Sequence, residues 1–77
     1  MNITGAALAT HVVLVQYVND VHLRDAVCFY ASSEAAARGL AATLQKTKTI
    51  NMPGTQPPYQ DVLSPFPIID NVVWSRL

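Results

Sequence analysis

The sequence predicts an α+β fold: a small ββαβ domain in which a three-stranded antiparallel or mixed sheet carries one helix on one face. Three observations predict it. Residues 11–18, HVVLVQYV, and a second apolar run ending at Ala31 are rich in the β-branched and aromatic side chains that suit a pleated sheet. Between Tyr30 and Leu44 the apolar rhythm changes from strand alternation to helical spacing. The segment that follows holds all five prolines of the chain and ends in one more strand-like run, IIDNVVW, at residues 68–74.

In chain order, residues 1–9 read as an extended arm or a short first turn, because Gly5 and the small alanines weaken both helix and strand. Residues 10–31 form a β-hairpin. In its first strand Val12 and Leu14 face one side while Val13, Val15 and Tyr17 face the other, so both faces are apolar and the strand is expected to be central. Asn19 and Asp20 supply the turn, since both side chains bond to nearby backbone and tolerate left-handed conformations. In the second strand Val21, Leu23, Asp25, Val27 and Phe29 make the expected core side, and His22, Arg24, Ala26, Cys28 and Tyr30 the other. Asp25 is the exception on the core side, which allows the turn to extend over residues 22–25.

Residues 32–48 form the helix. Ser32 or Ser33 is its N-cap, and Glu34 suits both the first-turn dipole and a pairing with Arg38 one turn on. Ala36, Ala37, Leu40, Ala41 and Leu44 make a narrow stripe of mostly small residues, suited to a close approach to the sheet that would also explain Gly39. Residues 49–67 form a proline-rich loop, because Pro53, Pro57, Pro58, Pro65 and Pro67 exclude a helix or a central strand. Tyr59, Val62, Leu63 and Phe66 are apolar enough to fold it back over the body. Residues 68–77 are the C-terminal strand, with Ile69 and Val73 on one face and Ile68, Val72 and Trp74 on the other. Asp70 and Asn71 interrupt this strand with a bulge or bend.

Seventy-seven residues make a single small domain, near the size at which a core is hard to close without staples. Five basic and five acidic residues cancel, so the weak net field argues against general nucleic acid binding. One cysteine, Cys28, allows no internal disulfide and points to a reducing compartment. No stretch has the length of a secretory signal core or a membrane span, which makes a soluble cytoplasmic protein the expectation. Half the residues are apolar, more than so small a domain hides alone, so a homodimer or a protein partner is expected.

Little in the chain resembles catalytic or metal chemistry. Cys28 lies in the apolar run AVCFY and reads as a small buried hydrophobe before it reads as a nucleophile. Two histidines and one cysteine lack paired or helical ligand spacing, so neither a metal nor a cofactor is expected. Arg38, Lys46 and Lys48 are a possible basic contact, too few for strong phosphate binding. Tyr59, Gln60 and Asp61 of the loop, with Trp74 and Arg76 near the C-terminus, are the expected partner-binding residues, because aromatic residues and arginine are enriched at binding hot spots.

Residues 11–44, a strand, a turn, a strand and then FYASSEAAARGLAATL leading into an alanine-rich helix, resemble the hairpin-plus-helix unit of many short phage and mobile-element proteins. Small phage-encoded inhibitors of bacterial defence, of the anti-CRISPR type, share this kind of scaffold. The resemblance is architectural and carries no functional residue across. It implies a non-enzymatic protein in the cytoplasm of a bacterial host that binds a host protein or complex and blocks it sterically. A structural or assembly subunit, forming a small homo-oligomer, is the alternative; a small nucleic-acid-binding regulator is the second.

Overall fold

The computed structural model describes residues 8–54 and 63–77. Its elements run β1 (His11–Val18), β2 (Arg24–Ala31), α1 (Glu34–Thr47), β3 (Thr49–Pro53) and β4 (Leu63–Arg76). The class is α+β, but the sheet has four strands rather than the three expected, and the order of elements is ββαββ. Across the sheet the strands lie β2-β1-β4-β3, with every neighbouring pair antiparallel.

The additional strand and the first part of β4 lie where the prolines predict a loop, within residues 49–67. The geometry of the ladder explains why these prolines are tolerated. Ile68 N–H donates to the Lys48 carbonyl at 2.9 Å, on the β3 side of β4. Backbone groups alternate in direction along a strand, so Phe66 also faces β3 while Pro65 and Pro67 stand where an N–H would point away from it. Pro53, by the same parity, faces outward from β3 at the edge of the sheet. A proline costs a strand a hydrogen bond only where its N–H is needed.

The β1–β2 hairpin closes through Asn19. Its Oδ1 accepts from the N–H groups of Val21 at 3.0 Å and Leu23 at 2.9 Å, and its carbonyl accepts from His22 N–H at 3.0 Å. His22 takes a left-handed φ of 62° that turns the chain into β2. At the other end of β2, Ser33 caps α1 by accepting from Ala36 N–H at 3.1 Å, and Glu34 pairs with Arg38 at 3.2 Å. Lys48, also left-handed at 62°, ends the helix, and β3 starts at the next residue.

One face of the sheet packs under α1. Register places His11, Val13, Val15 and Tyr17 of β1 on that face, with Phe29 opposite Val13 and Val27 opposite Val15. Val72 and Trp74 of β4 and the Ile50–Phe66 pair complete it. Ala37 and Ala41 are the buried residues of the helix, and their small size brings it close to β4 and β1. Gly39 is not part of this approach: it is exposed, and a Cβ built on it meets nothing within 4 Å. Ala36, expected in the apolar stripe, is exposed as well.

β4 changes partner along its length. Residues 63–67 pair with β3 and residues 68–76 with β1. Between these pairings to β1 it carries an irregularity at the residues that interrupt its apolar pattern: residues 70–72 stand opposite the single Val15. Asp70 adopts φ 61° there. Gln45 of α1 secures the bulge, accepting from Val72 N–H at 3.1 Å and donating to Asn71 Oδ1 at 3.4 Å. The insertion is even in number, so Ile69 and Val73 stay on one face and the core pattern is kept.

Candidate functional site

Among the described residues one helix, α1, covers one face of the sheet. On the opposite face, β1 presents Val12, Leu14, Gln16 and Val18, β2 presents Arg24, Ala26, Cys28 and Tyr30, and β4 presents Ile69 and Val73. Cross-strand pairs place Leu14 between Cys28 and Val73, and Val12 between Tyr30 and Ser75. Leu14 is 37% exposed, Tyr30 52% and Val73 54%, against zero for Val13 and Val15 on the other side of the same strand. The open face is therefore largely apolar, with Gln16, Arg24 and Ser75 as its polar members, and has no layer above it among the described residues.

Its size can be set from strand geometry. The part made by β2, β1 and β4 is three strands wide and eight residues long. At about 4.8 Å between strands and about 3.3 Å per residue, it outlines roughly 14 by 26 Å, about 370 Å². Apolar patches of several hundred Å² on small proteins are commonly functional. At one end Arg24 reaches Asp70 at 3.5 Å; both side chains are exposed, so the pair adds little stability, but it leaves the rim of the patch neutral.

Cys28 is exposed on this open face, not buried as its apolar neighbours suggested. The run AVCFY divides between two environments: Val27 and Phe29 turn toward the helix, and Ala26, Cys28 and Tyr30 turn away from it. His11 lies on the helix-covered face, 4% exposed, bonded to Thr10 Oγ1 through Nδ1 at 2.7 Å. The sheet thus separates Cys28 from His11. Among the described residues, no group of three or more His, Cys, Asp or Glu side chains is placed to hold a metal.

The partner-binding residues read from the sequence are distributed differently. Tyr59, Gln60 and Asp61 lie outside the described residues. Trp74 is half-buried on the helix-covered face, with the His11 ring 5.9 Å away and the Arg38 guanidinium over its own ring at 5.9 Å. Arg76 is exposed, opposite His11 at the end of β4. Trp74 and Arg76 therefore belong to the side of the sheet away from Leu14 and Val73. Of the basic residues, Arg38 is engaged by Glu34 and Trp74, whereas Lys46 and Lys48 are exposed around the helix C-terminus.

Asp25, the charged residue on the core side of β2, has a local explanation. One carboxylate oxygen accepts from Ala26 N–H at 2.8 Å and the other from the Tyr17 hydroxyl at 3.4 Å. Tyr17 is buried and stacks on Phe66 with ring centroids 5.6 Å apart. Burial raises the Tyr17 pKa above its usual value, and the Asp25 charge and hydrogen bond raise it further.

No helix among the described residues is long and apolar enough to cross a membrane. Comparison with known proteins finds no matching family model, no matching curated protein and no matching solved structure.

Proposed function

We propose that this chain is a non-enzymatic protein-binding inhibitor whose open sheet face seats on a host protein surface and blocks it sterically. The observation that carries this reading is the asymmetry of the sheet: Leu14, Tyr30 and Val73 are exposed together on one face, while the other face carries the buried core beneath α1. Apolar side chains held rigidly on a sheet lose little freedom on docking, which lowers the cost of association. Tyr30 supplies an aromatic anchor of the kind that dominates protein interfaces. The cancelling charges disfavour a nucleic acid target, and the likeness of the hairpin-plus-helix unit to small phage-encoded anti-defence proteins favours a bacterial host complex as the target.

The test uses the immobilised full chain to capture proteins from a bacterial lysate, with Val73→Asp and Arg76→Ala compared side by side. A partner retained by the parent chain and by Arg76→Ala but lost with Val73→Asp places binding on the open face. The purified partner then loses activity when the parent chain is added and keeps it when Val73→Asp is added. Capture that survives Val73→Asp and fails with Arg76→Ala moves the interface to the end of β4, at Trp74 and Arg76.

Assembly as a small homo-oligomer is the second reading, favoured by a separate observation. The outer edge of β2 is a full-length strand edge with no further strand beside it among the described residues.

A further inference from the structure

We propose that a second copy of this chain pairs along the edge of β2, antiparallel and with Cys28 opposite Cys28, so that two four-stranded sheets become one. The two edges of the sheet differ in the way that matters for such pairing. β3 is short, ends at Pro53, and is thereby blunted against strand addition. β2 runs the whole length of β1 and contains neither proline, lysine nor bulge.

The direction of its backbone groups follows from the hairpin. Asn19 N–H donates to the Leu23 carbonyl, so odd-numbered residues of β2 turn their N–H and C=O groups toward β1. Ala26, Cys28 and Tyr30 turn theirs outward. Ala26 N–H is already held by the Asp25 carboxylate, while the Cys28 groups and the Tyr30 amide can meet a copy's backbone without surrendering a bond.

Self-complementarity selects the second copy and the register. With Cys28 opposite Cys28, Ala26 faces Tyr30 on the open side, Val27 faces Phe29 on the helix side, and Asp25 faces the small Ala31. Shifting the copy by two residues toward the turn sets Asp25 against Phe29 and Arg24 against Tyr30, matching charge with apolar surface, and shifting it by two toward the helix leaves only residues 27–31 paired instead of residues 25–31. Val27 and Phe29 are only half-buried because α1 lies chiefly over β4 and β1. In the proposed pair each copy covers what the other leaves open.

The pairing deepens the binding reading of the open face and rests on it in one respect, the size of the platform. Two open faces joined at β2 make one platform of about 750 Å² in outline, twice that of a single copy. Paired edges put both faces on the same side of one continuous sheet.

Sedimentation of the full chain under reducing conditions, from micromolar to high micromolar concentration, tests this directly. The expected result is a species of twice the 8.4 kDa chain mass. A short bis-maleimide then joins it through Cys28, since opposed residues of such a pair lie only about 5.5 Å apart. Cys28→Pro removes an N–H that no bond within the sheet uses, so the variant keeps its far-UV circular dichroism and its dimer weakens at least about tenfold, as a lost pair of edge hydrogen bonds requires. Cys28→Ser retains the dimer and loses the cross-link. A monomer at all concentrations overturns the proposal, as does a dimer that resists cross-linking. So does a dimer that Val73→Asp dissociates and Cys28→Pro does not, which would sit on the open face. Loss of the captured partner with Val73→Asp and an intact dimer separates the binding reading from this one.

Discussion

The two faces of one sheet share strands, residue types and even neighbours in sequence, yet they differ completely in what covers them. Val13 and Val15 lie beneath α1 with no exposed surface, while Leu14 between them stands partly in solvent. The difference is one of supply: the described residues hold apolar side chains for two layers and one helix to cover one. What the covered face contributes is stability, and what the bare face contributes is surface for another molecule. Substitutions should separate the two.

The largest contrast is expected between Phe66→Ala and Leu14→Ala. Phe66 is 4% exposed and stacked on Tyr17, so its loss should cost about 3–5 kcal/mol, which is enough to unfold a domain this small or leave it marginal. Leu14→Ala, on the open face of the neighbouring strand, should cost less than about 1 kcal/mol by urea unfolding. Equal losses at the two positions would mean that the open face is packed in solution.

A smaller effect is expected at the joint between helix and bulge. Gln45→Ala removes the acceptor from Val72 N–H and the donor to Asn71, and should lower stability by about 1–2 kcal/mol, with faster amide exchange at residues 71–73 than elsewhere in β4. Gly39→Ala should act in the opposite direction. With open space around the new methyl group, thermal unfolding should show a gain of about 0.5–1 kcal/mol from helix propensity alone.

The smallest effect is a titration. Tyr17 is protonated more tightly in the folded chain than in the unfolded chain, so its contribution is complete below the ordinary tyrosine range and fades as pH rises through the raised value. Absorbance at the phenolate band should show a step above the ordinary tyrosine range that belongs to Tyr17. Asp25→Asn removes the charge beside it and should bring that late step down toward the ordinary range, leaving burial alone to raise it.

Much of this architecture was legible from residue pattern. β1 declared itself central by being apolar on both sides, and the alternation in residues 68–74 separated Ile69 and Val73 from Val72 and Trp74 across the bulge at Asp70. The fourth strand was not legible, because a count of prolines is blind to parity. Pro53, Pro65 and Pro67 fall on alternate positions, which spares every ladder bond they could have broken, and only the pairing reveals it.

The site was half legible. Apolar residues on both faces of β1, set beside a single helix, already imply an uncovered face. Hot-spot composition named a different set, Tyr59, Gln60, Asp61, Trp74 and Arg76, of which Trp74 lies on the helix-covered face with Arg38 over its ring. Cys28 was misplaced for a related reason: in AVCFY, hydrophobic neighbours in sequence belong to the opposite face of the strand.

The bare face is tested most directly by its own thiol. In the dilute native chain, Cys28 should react with an aromatic disulfide reagent within a few-fold of the rate in denaturant, and addition of the captured partner should slow it strongly. A thiol that stays unreactive until the chain unfolds would contradict the open face.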